Sequence, residues 1–425
     1  MKEEFLHYIW KYRLYNKPLR TIENEYVEVI SPGIHNHNAG PDFSDARLRI
    51  GEAMWAGNVE IHVNSSDWYR HGHQHDPAYE NVVLHVVYHH DDKPSESRFP
   101  VLQLKEFFDL SLYSNYQQFI NSKLWVPCIN QLNEVPAHET YLWLERMLVE
   151  RLEHKAELIQ GFLKLGNNDW EEAFYHTLAR SFGFSVNALP FEMMARSLPY
   201  RVIARHLDQP MQVEALVFGQ AGLLSHDLRD PWPQELFNEY SFLRQKYHLV
   251  PIAPHLWRFM RLRPVNFPTI RLAQFSALLC TGGGLLSRAL ECKTTDELTV
   301  HFSGVSASAY WDNHFIFDRL TPGRKKHLGK DAVSLLLINS VLPFLFVYGR
   351  SIDNDSLCNR ALEFFSRLNG EKNTQISRWK AAGMDVSSAF NTQALIGMKS
   401  DYCDKKRCLD CRIGNYLLKI TVGER

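Results

Sequence analysis

A chain of 425 residues that is 45% hydrophobic, 22% charged and 12% aromatic is too apolar for disorder and too long for one comfortable core, so two folded domains are expected. The 47 Lys and Arg against 48 Asp and Glu exclude a global basic field for nucleic acid or anionic membrane, so any such surface must be local. Seven cysteines, an odd number with three crowded near the end, argue for thiols or metal ligands rather than a secreted disulfide framework.

Taken in chain order, the first 125 residues are acidic, with 12 Lys and Arg against 17 Asp and Glu. The opening MKEEFLHYIWKYRLYNK carries charges through its apolar positions and lacks the apolar core of an export signal, which leads to the expectation of a cytoplasmic protein. Its stretch Glu3 to Tyr15 predicts an amphipathic helix lying on a sheet. From Tyr26 to Leu104 the runs YVEVI, ARLRI, NVEIHV, VVLHVVYHH and VLQL read as strands, separated by the turn clusters SPG, GPD and DDKPSES. After Leu110 the apolar period becomes helical, with stretches at about Thr140 to Leu165, Trp170 to Phe184, Met211 to Leu224, Pro233 to Tyr247, Ile270 to Leu279 and Ala332 to Tyr348. The last is the most lipid-like, but it is short for a bilayer and contains Asn339, Ser340 and Pro343, so a buried helix and no membrane partner are expected. The fold class expected is α+β: a mixed β-sheet domain with flanking helices over residues 1–125, then a mainly α-helical domain over 126–425 that carries the cysteine cluster.

Ten of the 20 histidines fall before residue 91, which nominates the sheet region for chemistry, since imidazole transfers protons near neutral pH and binds transition metals. Alternation along a strand puts Glu60, His62 and Asn64 on one face and Val59, Ile61 and Val63 on the other. If DFSDARLRI pairs with NVEIHV across a turn around Gly51 to Gly57, Asp42 comes near Glu60. Two carboxylates at strand ends suit Mg²⁺ or Mn²⁺, hard ions that keep positions open for phosphate and water. His71, His73 and His75 alternate and, if extended, point one way as three Zn²⁺ ligands, while a loop of solvated histidines is the bland account. Asp67 and Arg70 are candidates beside a substrate phosphate, and His85 inside VVLHVVY reads as a hydrogen-bonded core histidine. Glu4, Glu23 and Glu25 are possible extra carboxylates, although solvated surface suits them better.

Cys403, Cys408 and Cys411 have the spacing C-x4-C-x2-C, which lets thiolates reach one ion and needs a fourth ligand from Cys128, Cys280, Cys292, Cys358 or a histidine. Zinc and an iron–sulfur cluster both fit that spacing, and three reduced thiols are the alternative. Cys280 in SALLC reads as core. In LWRFMRLRP, Arg258, Arg261 and Arg263 alternate with aromatic residues, and Lys325-Lys326 and Lys405-Lys406-Arg407 add local charge that suits phosphates. Ion pairing and a buried Trp257 are the simpler account.

Pro41-Asp42 followed by Glu60-Ile61-His62 on the next strand resembles the PD-(D/E)XK nuclease pattern. That resemblance implies a restriction-endonuclease-like N-terminal domain and divalent-metal-dependent hydrolysis of a nucleic-acid phosphodiester, DNA favoured, with Asp42 and Glu60 holding Mg²⁺ or Mn²⁺. The helical part would contact the DNA. One element departs, because His62 stands where the pattern has Lys. By analogy with nucleases of this class stapled by an iron–sulfur cluster, the resemblance implies Cys128 as the fourth cysteine ligand. Through GPDFSDARL, VEIHV, DW, HDPAYENVVLHVV and RCLDCRIG, nearly the whole chain is also similar to the bacterial domain-of-unknown-function family DUF2851. Two further functions stay open: a nuclease-like binding or scaffold protein without turnover, and a zinc hydrolase using His71, His73 and His75.

Overall fold

Phe5, Leu6, Ile9 and Trp10 recur at helical spacing and are all buried, and the segment that carries them forms α1, Glu3–Lys11. The helix ends before the expected Tyr15 because Arg13 turns into the left-handed region, φ 51°. The computed structural model describes residues 1–91, 98–281 and 284–420; apart from Asp91, the expected DDKPSES turn lies outside the described residues.

Seven strands come next: β1 Leu19–Arg20, β2 Tyr26–Ser31, β3 Ile34–His35, β4 Phe43–Ile50, β5 Ala53–Asn64, β6 Val82–His89 and β7 Val101–Gln103. They form one sheet in the order β1-β2-β4-β5-β6-β7, with β3 paired to β4. Pairing is antiparallel from β1 through β5 and parallel for β5–β6 and β6–β7, so the sheet is mixed, as expected. The crossover between parallel β5 and β6 holds α2, Asp67–Arg70, and two short 3₁₀ turns, and α3, Leu110–Asn121, succeeds the sheet. Residues 82–87 of β6 are buried without alternation, which is what an interior parallel strand requires. The two-residue strands β1 and β3 are too short to have left a periodic signal.

The central hairpin, β4 and β5, aligns the Asp42 and Glu60 backbones through two local details. Ile50 pairs with Ala53, so the turn is the two residues Gly51 and Glu52, tighter than the Gly51 to Gly57 turn expected, and Gly51 supplies its φ of 58°. Gly57 is instead inside β5, where a Cβ would stand 2.5 Å from Val83 Cγ1 and 2.7 Å from the Asn81 carbonyl oxygen. In β4 a bulge at Ser44 and Asp45, with Asp45 at φ 56°, separates the Phe43–Val59 pair from the Ala46–Gly57 pair.

The remainder is mostly helical. The observed helices Ala137–Leu165, Trp170–Phe182, Pro210–Gln220, Pro231–Tyr247 and Pro268–Leu279 match the expected stretches to within a few residues. Lys330–Ser351 is continuous, and its π-helical turn Leu337–Val341 accommodates Pro343, whose missing N–H and ring would break a regular α-helix. This helix is long and apolar enough to cross a membrane by length and composition, but 78% of its apolar window is buried inside the fold, as a core helix requires. The chain divides into two compact units, Met1–Trp143 with Ser400–Arg425, and Leu144–Lys399. The segment bearing Cys403, Cys408 and Cys411 thus groups with the sheet.

Candidate metal centre

Asp42 stands one residue before β4 and Glu60 lies in β5, and the Phe43–Val59 pairing sets them side by side. The Asp42 backbone N–H donates to Glu60 Oε2 at 3.1 Å, and the Ile61 N–H donates to Asp42 Oδ2 at 2.9 Å. Each carboxylate is therefore held by the other's strand. Glu60 is buried rather than solvent-facing, because α1 packs on β5 over this end of the sheet.

That helix brings two residues that alternation along the strands did not nominate. Glu3 and His7 are one turn apart on α1, and His7 Nε2 is 3.3 Å from Asp42 Oδ2. Donor atoms of Glu3, His7 and Asp42 all lie within 4.8 Å of one another. The acid and imidazole spaced four apart in EEFLH are a legible signal, and they single out Glu3 rather than the expected Glu4. Glu4 instead meets Lys2 at 3.3 Å and accepts from the Tyr116 hydroxyl. Glu23 and Glu25 are exposed in the β1–β2 turn.

On the other side of Glu60 is a set of imidazoles. His62 Nε2 and His73 Nε2 lie 3.5 and 3.4 Å from Glu60 Oε1. His71 Nδ1 is 3.2 Å from His62 Nε2, and His85 Nε2 is 2.9 Å from His62 Nδ1. Donor atoms of His62, His71 and His73 form a second group within 4.8 Å. The expected extended run is not what gathers them: α2 is followed by Gly72 at φ 77° and a 3₁₀ turn at His73–His75, which folds His71 and His73 back over His62 and leaves His75 exposed. His85 belongs to this network and not merely to the core. Asp67 is used locally, accepting from the Asn64 backbone and from Arg70.

The electrostatics derive from burial. Glu60 is pushed up to about 9, first by desolvation and then by the charge of Asp42. Glu3 is raised in the same order by burial and Asp42. His62 is held down to about 4 by burial and then by His73 and His71, and His73 and His85 are lowered chiefly by burial. Among the described residues, no Lys or Arg forms an ion pair with Glu3, Asp42 or Glu60. The Nε2 atoms of His7 and His73 are buried without a hydrogen-bond partner. Trp68, His73, Tyr79, His85 and Phe99 line an adjoining pocket of about 220 Å³.

Cys128, Cys403, Cys408 and Cys411 line one void of about 20 Å³. Burial pushes the Cys408 and Cys411 thiols up to about 12 and about 11, and raises Cys128 further. The Cys411 sulfur accepts from the N–H groups of Ile413 and Gly414 at the start of Arg412–Lys419. Cys280 is half-buried at the end of Pro268–Leu279. The basic runs are largely spent on the fold. Lys406 donates to the carbonyls of Ile120 and Ser122, Lys405 pairs with Asp401, and Arg407 pairs with Asp410. Trp257 is buried and donates to the Ala221 carbonyl.

Compared with known proteins, residues 3–374 match the family model described as a protein of unknown function, DUF2851. No curated protein and no solved structure matches the chain.

Proposed function

We propose, for a chain that belongs to the DUF2851 family of proteins of unknown function, divalent-metal-dependent hydrolysis of a nucleic-acid phosphodiester at the Asp42–Glu60 pair, with DNA as the favoured substrate. One observation carries the reading: three carboxylates, Glu3, Asp42 and Glu60, are gathered where the charge of Asp42 raises the proton affinity of the other two and Glu3 raises that of Glu60, and among the described residues no Lys or Arg ion pair offsets them. Like charges collected in a partly dry site lack a counter-charge, which a cation would supply. His7 Nε2, 3.3 Å from Asp42 Oδ2 but without a hydrogen bond, is a further potential ligand at the same place. A carboxylate-rich set with one imidazole suits Mn²⁺ better than Mg²⁺, which takes oxygen ligands almost exclusively.

When bound, the cation supplies Lewis-acid stabilisation of phosphate charge and activates water for attack. The chain's own residues do the rest. Asp42 and Glu60 would hold the cation, fixed by the hydrogen bonds that their carboxylates accept from the Ile61 and Asp42 backbone N–H groups. His62, neutral and linked to His71, whose ring is exposed, stands in the position of the pattern's Lys and would pass a proton toward solvent. The aromatic walls of the adjoining pocket would take an unstacked base. The same residues support the finer fold assignment, a restriction-endonuclease-like N-terminal domain. The expected result is Mn²⁺-dependent cleavage of labelled single- or double-stranded DNA by the full chain, stopped by chelation and restored by Mn²⁺. Intact DNA and RNA with both Mn²⁺ and Mg²⁺ would overturn the reading and leave the binding or scaffold protein.

A second reading rests on the other donor group. His62, His71 and His73 are three imidazoles with donor atoms within 4.8 Å of one another, and His73 Nε2 is buried without a hydrogen bond, a donor set suited to Zn²⁺ in a hydrolase. His75 is outside it.

The four cysteines are proposed to bind one further ion. Their void of about 20 Å³ is of the order of a single small occupant, which favours Zn²⁺ over an iron–sulfur cluster. Among the described residues no three sulfurs lie within 4.8 Å of one another, so the side chains would have to rotate inward to close the site. Metal analysis of the purified protein should find about one equivalent of zinc, lost together with thermal stability in Cys128→Ser and Cys411→Ser. Four thiols that all react with a thiol reagent, with neither zinc nor iron present, would exclude the site.

A further inference from the structure

The second unit contains a pocket of about 650 Å³, in the size range of small-molecule sites. Its floor is the helix Pro268–Leu279, which presents Arg271 and Gln274. Arg271 is 8% exposed and forms no ion pair among the described residues; a guanidinium is almost never buried unless paired. Its Nη1 donates to Gln274 Oε1 at 2.9 Å and its Nη2 to Asn266 Oδ1 at 2.6 Å, both neutral acceptors. Its Nε is buried with no partner at all. Burial holds its pKa down to about 10.

The rim repeats the imbalance. Lys326 is 4% exposed; its ammonium donates to the backbone carbonyls of Asp312 and Arg324, lies 4.3 Å from the Phe315 ring and forms no ion pair among the described residues. Gln274 Nε2 donates to the carbonyls of Lys326 and His327, which fixes this loop over Arg271. Arg324, Lys325 and Lys330 also line the pocket, whereas Asp331 is the one acid there and pairs with Lys372 at 3.6 Å. Beside Arg271 is an apolar wall that includes Phe184, over whose ring the guanidinium lies at 4.7 Å.

We infer that this pocket binds a nucleoside monophosphate, its phosphate compensating Arg271 and the 324–326 cations and its base lying against the Phe184 wall. A planar guanidinium with free donors matches phosphate oxygens, and an arginine stacked on an aromatic ring offers a flat base an apolar surface. The inference does not depend on the carboxylate centre.

The test is calorimetric titration of the full chain, without added divalent cation, using adenosine 5′-monophosphate, adenosine and inorganic phosphate. The monophosphate should bind about tenfold or more tightly than adenosine, the worth of one charge-assisted contact, and more tightly than phosphate alone. The double variant Arg324→Glu/Lys325→Glu, at exposed positions that leave folding intact, should weaken binding by a similar factor, and Arg271→Gln should weaken it further. Asp42→Asn should bind as wild type does. Adenosine binding as well as its monophosphate, undiminished binding by the Arg324/Lys325 variant, loss of binding in Asp42→Asn, or single-stranded DNA occupying the pocket in preference to the monophosphate would each overturn the assignment.

Discussion

Asp42→Asn and Glu60→Gln are each expected to lower the Mn²⁺-dependent cleavage rate by more than about 100-fold, because each removes a direct ligand, and loss of an outer partner alone costs 10–100-fold. The isosteric changes are the informative ones. Asn retains an acceptor for the Ile61 N–H, and Gln retains one for the Asp42 N–H, so the hydrogen bonds between β4 and β5 survive while the charge is lost. Alanine at either position would also orphan a backbone donor at about 1–3 kcal/mol, confusing a folding defect with a chemical one. Circular dichroism and melting should therefore be unchanged or improved in Glu60→Gln while Mn²⁺ affinity falls. His71→Ala separates the two metal readings: under the carboxylate reading it slows turnover but leaves Mn²⁺ affinity in place, and under the zinc reading it abolishes metal binding. Wild-type cleavage by both isosteric variants would end the carboxylate account.

The parts of this arrangement that sequence conveyed are those encoded by alternation. VEIHV and VVLHVVY announced β5 and β6, and Pro41-Asp42 before a strand placed a carboxylate at a strand end. What was not legible came from tertiary geometry. A bulge at Ser44 and Asp45 sets how Asp42 meets Glu60, and nothing in SDA distinguishes it from a regular strand. Alternation marked which face of β5 carries Glu60 but not that α1 covers and buries it. His71 and His73 were nominated as an extended run, yet they meet through a helical turn and Gly72. The four-residue spacing of Glu3 and His7 was legible in EEFLH, but their place beside Asp42 required knowing which face of α1 packs on β5. Convergence of Cys128 with Cys408 and Cys411 spans about two thirds of the chain, a separation that spacing cannot encode; only the nuclease resemblance pointed to Cys128.

The pH dependence of metal-free stability provides the second test with a large expected effect. The Glu60 carboxyl is raised from 4.5 to about 9 in the fold, so between those values the folded chain keeps a proton that the unfolded chain has released. Stability must then fall as pH rises through that window, by at most about 1.4 kcal/mol per pH unit for one group. His35 and His62, both lowered to about 4, act oppositely: the unfolded chain binds their protons up to about 6.5, and their contribution to stability grows with pH until then. Lys155, held down to about 7 by burial, also favours the fold as pH rises toward 10. These terms are common to wild type and Glu60→Gln, so the difference between the two proteins isolates Glu60. Wild type should be the less stable by a margin that widens from pH 5 to pH 9 in chelator-treated samples, read as denaturant midpoints. Adding Mn²⁺ should displace the Glu60 proton, so affinity rises with pH over the same interval and the margin closes or reverses. Parallel stability curves for the two proteins would mean that Glu60 is ionised in the fold without a cation, and the case for a missing counter-charge would fail with it.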